Sequence, residues 1–232
     1  MQARAPTLWP GNDDPQLIAR FEAFIAAAKF PCVGAKSALA RGQMHFLIED
    51  EMTLGPRPET LAALQQFSRS YTADAPLFQS VVVLFRRMSE SNGPGSRERA
   101  FESRLWTYLQ RLHDADAARH GWDPRVSRDV ASANFSFSVG GRGYYVVGLH
   151  PDASRVARRF SHPALVFNLH DQFERLRARG TYGRLRDAIV ARDIALEGDG
   201  NPMLKQFGTV SEARQYSGRA VADDWVCPFH AR

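Results

Sequence analysis

The middle of the chain constrains the fold most strongly, because three β-type segments follow one another there. Phe135–Val139 alternates apolar and polar residues, and Tyr144–Leu149 is a longer, mostly apolar run. The glycine-rich link Gly140–Gly143 between them is typical of a hairpin turn. A third apolar run, Ala164–Leu169, follows after a short connection. These residues predict an antiparallel pair and a further strand, so the rest of the chain has a sheet to pack on.

Helical patterns flank these strands in the sequence. Apolar residues recur every three or four positions in several segments, as they do on the buried side of an amphipathic helix. The predicted helices cover residues 15–28, 35–41, 58–70, 96–120, 171–179 and 182–196, and two further strands cover 44–48 and 81–85. Elements of both kinds predict an α+β fold, with one mixed, mostly antiparallel sheet and helices packed on it.

We expect one domain over residues 1–232, since no internal repeat or low-complexity linker divides the chain. Residues 1–12 contain two prolines and a glycine and are expected to form an arm. Residues 198–232 are rich in glycine and proline and are expected to form an irregular C-terminal segment. A chain of 232 residues can bury a core without a disulfide or a structural metal.

Composition argues against several classes of protein. The hydrophobic fraction of 44% and the charged fraction of 24% are ordinary for a globular protein. Cys32 and Cys227 do not make a disulfide framework, and neither a secretory signal nor an apolar run of bilayer length is visible, so we expect a cytoplasmic protein without a membrane segment. The net charge of +5 is spread out rather than gathered in a basic stripe, so nucleic acid is not an expected partner.

The sequence lacks the short motifs that are typical of common enzyme and metal sites. There is no phosphate-binding loop, no serine nucleophile elbow and no His-Glu-x-x-His zinc motif. The glycines of Gly140–Gly143 lie between two strands, whereas a dinucleotide fingerprint lies between a strand and a helix. The candidates that remain are histidines, the two cysteines and polar loops.

His150 is the sharpest candidate, because it falls at the end of a predicted strand, where functional side chains commonly project into a crevice. Arginines follow it closely, among them Arg155 and Arg159. A neutral imidazole beside guanidinium groups suits a metal together with an anion, and haem is such a pair, with its iron and its propionates. The structural alternative is a histidine bonded to backbone and followed by a solvated basic turn, and the residues alone favour that alternative.

Other polar residues are weaker candidates. His170 ends the next predicted strand and could share a cleft with His150 if the strands are neighbours, although a helix-capping role for His170 or Asp171 is the favoured alternative. His230 lies near the C-terminus, where it is either frayed or folded over a pocket. Glu212 lies in a long polar loop and could recognise a cationic substrate through paired hydrogen bonds, or could simply pair with Arg214.

Several segments together resemble the YqcI/YcgG family, and they span almost the whole chain. The segments are Phe30–Ala38, Gly148–Pro151, Arg158–Phe160, Leu165–Leu176, Asn201–Leu204 and Cys227–His230. Some members of this family are haem-dependent N-hydroxylases that oxidise a guanidino nitrogen of arginine or of an arginine-derived compound, as in guanitoxin biosynthesis. The resemblance therefore implies an oxidoreductase with haem b as cofactor, a guanidino substrate, and an electron donor or peroxide as co-reactant.

The resemblance gives the candidates possible roles. His150 would ligate the iron, by inference from its Leu-His-Pro context, with His230 as the alternative ligand. Arg155 and Arg159 would bind the propionates, and Glu212 or Glu174 would orient the guanidinium. Two rival hypotheses stay open, namely a haem sensor or carrier without hydroxylase activity and a cofactor-free binding module. The sequence does not indicate the oligomeric state.

Overall fold

The sheet predicted from the sequence is the centre of the protein. A computed structural model describes residues 14–88, 94–203 and 208–231, except for the side chains of 94–96. Its sheet has five strands in the order β1-β2-β5-β4-β3. The strands are β1 (Met44–Glu51), β2 (Ser80–Arg87), β3 (Phe137–Val139), β4 (Arg142–Leu149) and β5 (Ala164–Leu169). The β1–β2 pair is parallel and the other three pairs are antiparallel, so the predicted mixed, mostly antiparallel sheet is confirmed.

Helices cover both faces of this sheet. They are α1 (Pro15–Ala26), α2 (Val33–Ala40), α3 (Pro58–Ser70), α4 (Pro94–Ala117), α5 (His170–Ala178) and α6 (Tyr182–Glu197). The α+β class is therefore confirmed. The arm predicted at residues 1–12 lies outside the described residues. From residue 198 onward, the described part of the chain contains one short 3-10 turn, Glu212–Gln215, in otherwise irregular backbone.

The centre of β2 separates two hydrophobic cores. Residues 80–85 are all buried, as expected for a strand that is covered on both faces. Successive side chains point to opposite faces, so Val82 and Leu84 join the core beneath α1 and α2, whereas Val81, Val83 and Phe85 join the core beneath α3 and α4. The sheet is thus the middle layer of a three-layer protein.

The first hairpin strand is shorter than the alternation predicts. β3 begins at Phe137 rather than at Phe135, and the C-terminal segment takes over as the neighbour of β4. The backbone N–H of Gly148 donates to the carbonyl of Tyr216 over 2.7 Å. A Cβ at Gly148 would lie 2.8 Å from both Leu105 and Phe101 of α4, so only glycine permits this close packing.

The C-terminal tail packs across α4. The side chain of Gln110 accepts from the backbone N–H of His230 over 2.9 Å and donates to the His230 carbonyl over 3.0 Å. Phe229 is buried at the centre of an aromatic cluster that includes Trp106 and Trp122. Within the described residues, no helix combines the length and the apolar character that a membrane crossing requires.

Candidate functional site

The two strand-end histidines lie at opposite ends of the sheet. β4 and β5 are neighbours but antiparallel, with Leu149 opposite Ala164 and Tyr144 opposite Leu169. Five residues of β-strand separate the two ends of this pair, which is about 17 Å. His150 and His170 therefore do not share one cleft, and each has to be considered with its own neighbours.

His150 lies in a closed environment. It is 1% exposed, and its ring stacks on Phe101 with a centroid distance of 4.2 Å and an interplanar angle of 27°. Its backbone N–H donates to the carbonyl of Arg158 over 3.1 Å. Burial lowers the pKa of the imidazole to about 4, so the ring is neutral at pH 7. Its Nδ1 is buried and has no hydrogen-bond partner among the described residues.

The two predicted propionate-binding arginines are engaged within the protein. Arg155 is 12% exposed in its side chain and pairs with Asp193 at 2.6 Å, with Asp199 at 2.5 Å and with Glu197 at 3.8 Å. These carboxylates lie at the end of α6 and just beyond it. Arg159 donates to the carbonyls of Ala153 and Ser154 over 2.9 and 2.8 Å. Both arginines thus hold the turn after β4 in place.

Arg158 connects the same turn to the C-terminal segment. Its Nη1 donates to the Gly148 carbonyl over 3.0 Å, and its Nη2 donates to the Gln215 carbonyl over 3.2 Å. It also lies 3.4 Å from the carbonyl of Tyr216. The basic turn is therefore internally bonded, in contrast to the solvated turn that the structural alternative assumed.

A second polar group, the Glu212 cluster, lies towards the other end of β4 and consists of Tyr145, His170, Glu174, Arg177 and Glu212. His170 contacts Glu174 through Nε2 at 3.0 Å and Ser136 through Nδ1 at 3.1 Å. Its side chain does not cap α5, whose N-cap is Leu169. Glu174 also pairs with Arg177 at 2.7 Å. Glu174 and Glu212, the two carboxylates that the sequence proposed for a guanidinium, lie close enough for the charge of Glu174 to raise the pKa of Glu212.

Glu212 is the unusual member of the cluster. It is half-buried at the first position of the 3-10 turn, and its carboxylate makes no hydrogen bond or ion pair with any described residue. Burial raises its pKa to about 7, opposed by the positive charge of Arg177 and reinforced by Glu174. The predicted alternative, a pair with Arg214, does not form, because Arg214 donates to backbone carbonyls at residues 222–225.

Aromatic groups border the Glu212 cluster. The Tyr145 hydroxyl donates to the side chain of Gln215 over 3.1 Å. The guanidinium of Arg177 lies 5.0 Å from the centre of the Tyr182 ring, which is within the range of a cation–π contact. The cluster already holds one guanidinium of the protein itself, between a carboxylate and an aromatic face.

Cys32, Cys227 and His230 lie outside both the His150 turn and the Glu212 cluster. The Sγ of Cys32 accepts from the Ala35 N–H at the start of α2. Burial raises the pKa of the Cys32 thiol, and it raises the pKa of the Cys227 thiol to about 12. Both thiols are therefore protonated at pH 7. His230 is exposed next to Gln110, at the edge of a groove between α4 and the tail. No set of three or more His, Cys, Asp or Glu side chains in the described ranges could hold a metal ion.

The fold and these contacts define an α+β protein with a half-buried acidic cluster beside β4. A family model described as YqcI/YcgG matches residues 21–230, and the chain belongs to that family. It is similar to a protein of Bacillus subtilis (strain 168) described as uncharacterized protein YcgG, with 24% identity over 210 residues, which cover 88% of this chain and 81% of that protein. No solved structure matches the chain.

Sequence reasoning missed the parts of the cluster that depend on distant residues. Tyr145 was noted only as part of a strand, and Arg177 only as part of a helix. Two sequence features could have indicated these residues. Tyr145 is a polar side chain in a mostly apolar strand, and Arg177 follows Glu174 by three positions, a spacing at which side chains on a helix meet. Their link to Glu212 appears only in the fold, which places the charges of Glu174 and Arg177 near that carboxylate.

Proposed function

We propose that the protein binds a guanidino compound at the Glu212 cluster, and that haem-dependent hydroxylation of a guanidino nitrogen, which the family resemblance implies, is the first reaction to test there. The observation that supports this proposal most directly is Glu212, a half-buried carboxylate that the described residues leave without a hydrogen-bonding partner. A carboxylate removed from water gains most from a partner that brings a charge and two donors together.

The charges of the cluster favour one added cation. Glu174 and Glu212 contribute two negative charges when ionised, Arg177 contributes one positive charge, and His170 is neutral at pH 7 because burial lowers its pKa. One unit of negative charge is left over. A guanidinium matches a carboxylate with two parallel N–H donors, which a primary ammonium cannot do.

The His150 ring has the chemistry of a haem ligand, whereas its surroundings and the two candidate propionate sites do not suit a haem. His150 has a neutral ring and an unused Nδ1, which is the chemistry of an iron ligand. Its flat contact with Phe101 and its near-complete burial leave no room for a macrocycle beside the ring as placed. Arg155 and Arg159 already bind carboxylates and carbonyls. The His150 turn as arranged therefore does not fit a haem.

This same finding favours a second candidate, the cofactor-free binding module. Under that hypothesis the Glu212 cluster binds a guanidino compound without transforming it, and the arginines after β4 serve the fold alone. The two candidates share the binding site and differ in the cofactor, so separate experiments address them.

Calorimetry tests the binding site. Agmatine and L-arginine should bind, whereas L-citrulline, which replaces the guanidinium by a neutral urea group, should not. Glu212→Gln should weaken agmatine binding at least about tenfold, the cost of removing one charge-assisted pair. Asp187→Asn, an equal change of charge at an exposed position of α6, is the matched control. Equal affinities for agmatine and citrulline would contradict the site.

Absorbance and mass spectrometry test the reaction. Haemin is titrated into the protein, and a Soret band that saturates at one equivalent supports a haem enzyme. The loaded protein is then given L-arginine and hydrogen peroxide, and a product heavier by one oxygen atom is sought. Haem binding without this product leaves the sensor or carrier hypothesis, and failure to bind haem leaves the binding module.

A further inference from the structure

Helix α6 leaves its apolar side chains incompletely buried. The less exposed positions of this helix repeat with the helical period around Asp193, so that side of α6 faces the protein. Asp193 is the only buried residue of the helix. The apolar side chains on the same side are half-buried, and neither hydrophobic core of the described chain includes them; they are Leu185, Ile189, Val190 and Leu196. α6 therefore stands off from the layer beneath it.

Three contacts place α6 over β4 and β5, beside α1 and α2. Near the end of the helix, Asp193 pairs with Arg155 at 2.6 Å, in the turn that follows β4. Arg192 donates to two carbonyls in the connection between α1 and α2, over 2.7 and 3.0 Å. At the start of the helix, the Tyr182 ring lies 5.0 Å from the guanidinium of Arg177 on α5, the helix that follows β5. The helix thus runs from the Glu212 cluster to the turn after β4.

The part of the sheet beneath α6 is also incompletely covered. Tyr145 is opposite Asn168 and Val147 is opposite Val166 in the register of β4 and β5, so these four side chains share one face. All four are half-buried, whereas Val82, the neighbour of Val166 on β2, is completely buried. Valines of an antiparallel sheet ordinarily face a core. Two half-buried apolar surfaces therefore face each other across an opening, which we call the α6 cleft.

We propose that the α6 cleft binds the hydrocarbon chain of a guanidino ligand. The chain would lie between Val147 and Val166 on the sheet and Leu185 and Ile189 on α6. The inference rests on the function proposed above, because the guanidinium of the same ligand would pair with Glu212. It adds that the protein selects guanidines that carry an extended apolar substituent.

Tyr145 joins the cleft to the Glu212 cluster, of which it is a member. Its ring contacts Phe173 of α5 in an edge-to-face arrangement, with 6.1 Å between the ring centres. The next side chain of β4 on the same face is Val147, about 7 Å further along the strand. A ligand held at Glu212 would therefore meet a carboxylate first, then an aromatic ring, and then the aliphatic floor of the cleft.

The polar groups around the cleft favour a hydrocarbon chain over a polar one, because they are already bonded. Asn168 on the floor accepts from the Ser80 hydroxyl over 2.7 Å. At the far end, Arg155 pairs with Asp193, and Arg158 donates to carbonyls of the protein. A polar chain would lose its hydration here without new partners. A hydrocarbon chain needs no partner, and it removes water from the half-buried apolar side chains on both walls.

Calorimetry with methylguanidine, butylguanidine and hexylguanidine tests this proposal. The three probes share one charged group and differ only in the length of the hydrocarbon chain. Affinity should rise about two- to fourfold with each methylene that enters the cleft, so hexylguanidine should bind at least about thirtyfold more tightly than methylguanidine. Glu212→Gln should weaken the binding of all three probes, because it removes the partner of the guanidinium that they share.

Variants locate the chain in the cleft. Val147→Phe fills the cleft from the sheet and should lower the affinity for hexylguanidine to near that for methylguanidine. Ile189→Ser removes apolar surface from the α6 wall and should weaken hexylguanidine binding about three- to tenfold. Ile194→Ser is the matched control, the same substitution at a 43% exposed position of the same helix, and should have no effect.

The dependence on chain length separates this inference from the function on which it rests. If the three probes bind equally and Glu212→Gln weakens each of them, the Glu212 site stands and the α6 cleft is overturned. If none of them binds, the proposed function fails and the cleft fails with it. Wild-type hexylguanidine affinity in both Val147→Phe and Ile189→Ser, with unchanged thermal melts, overturns the assignment to the cleft. A wild-type dimer in sedimentation that Ile189→Ser dissociates assigns this face to a second copy of the chain and also overturns it.

Discussion

At the His150 end of β4, charged side chains are bonded to one another and to backbone, whereas towards the other end Glu212 is left without a partner. Arg155, Arg158 and Arg159 direct their donors to carboxylates and carbonyls of the protein itself. The Glu212 carboxylate has neighbours of both charges but makes no hydrogen bond with the described residues. Basic residues near a histidine therefore do not by themselves mark an anion site, because their partners decide what they can bind.

The largest expected effect tests the structural role of the basic turn. Arg155→Ala leaves the largely buried carboxylates of Asp193 and Glu197 without their cation, and should lower the free energy of unfolding by about 3 kcal/mol, as for a broken buried ion pair. Urea unfolding at pH 7 measures it, and Arg155→Lys should recover part of the loss. A change below about 0.5 kcal/mol would mean that this arginine is free for a ligand after all.

The next effect concerns His150 itself. His150→Ala removes a buried ring that stacks on Phe101 and should cost about 2 kcal/mol of stability, as other large-to-small core substitutions do. Agmatine binding at the Glu212 cluster should stay at the wild-type level, because the two ends of the strand are about 17 Å apart. If haem binds through this imidazole, the Soret band is lost or shifted in the variant, and that outcome would reverse our account of this turn.

A smaller effect is expected on the pH dependence of stability, to which Glu212 contributes. Its folded-state pKa of about 7 is above the ordinary value of 4.5, so the stability it contributes is present below pH 4.5 and is lost as pH rises to 7. Glu212→Gln should therefore make the protein more stable than wild type at pH 8, by about 1–2 kcal/mol after allowing for partial exposure. Nearly equal stabilities at pH 4, below the unfolded pKa, serve as the internal control, and equal stabilities at pH 8 would contradict the raised pKa.

The smallest effect is expected at Glu174. Its side chain is 51% exposed, so breaking its pairs with His170 and Arg177 in Glu174→Gln should cost less than about 1 kcal/mol of stability. Agmatine affinity should fall only a few-fold, because Glu212 remains as the principal carboxylate. A loss as large as that of Glu212→Gln would make the two residues equal partners in binding.

The sequence predicted local features of the fold well, for a physical reason. Alternation along 137–139, the apolar run 81–85 and the helical spacing that begins at residue 15 depend on neighbours a few residues away. The relative direction of β4 and β5 depends on the connection over residues 150–163, so the separation of His150 from His170 could not be read from either strand.

The candidate site was predictable only in part. Glu174 and Glu212 were both selected for a guanidinium from their chemistry, and the fold brings them near each other across 38 residues of sequence. The partners of Arg155 are similarly distant in sequence, on α6 and just beyond it. The helical pattern of that region does not indicate that its carboxylates bind an arginine. Long-range ion pairs are set by tertiary packing, and a single sequence does not record them.

The most direct test of the central account is calorimetry of agmatine binding at pH 6 and pH 8. A guanidinium favours the ionised form of Glu212, so affinity should rise with pH through the pKa of about 7, and one proton should be released on binding below it. We expect this rise in the wild type and in Asp187→Asn, and its loss in Glu212→Gln. Equal agmatine affinity in wild type and Glu212→Gln at pH 8 would contradict it.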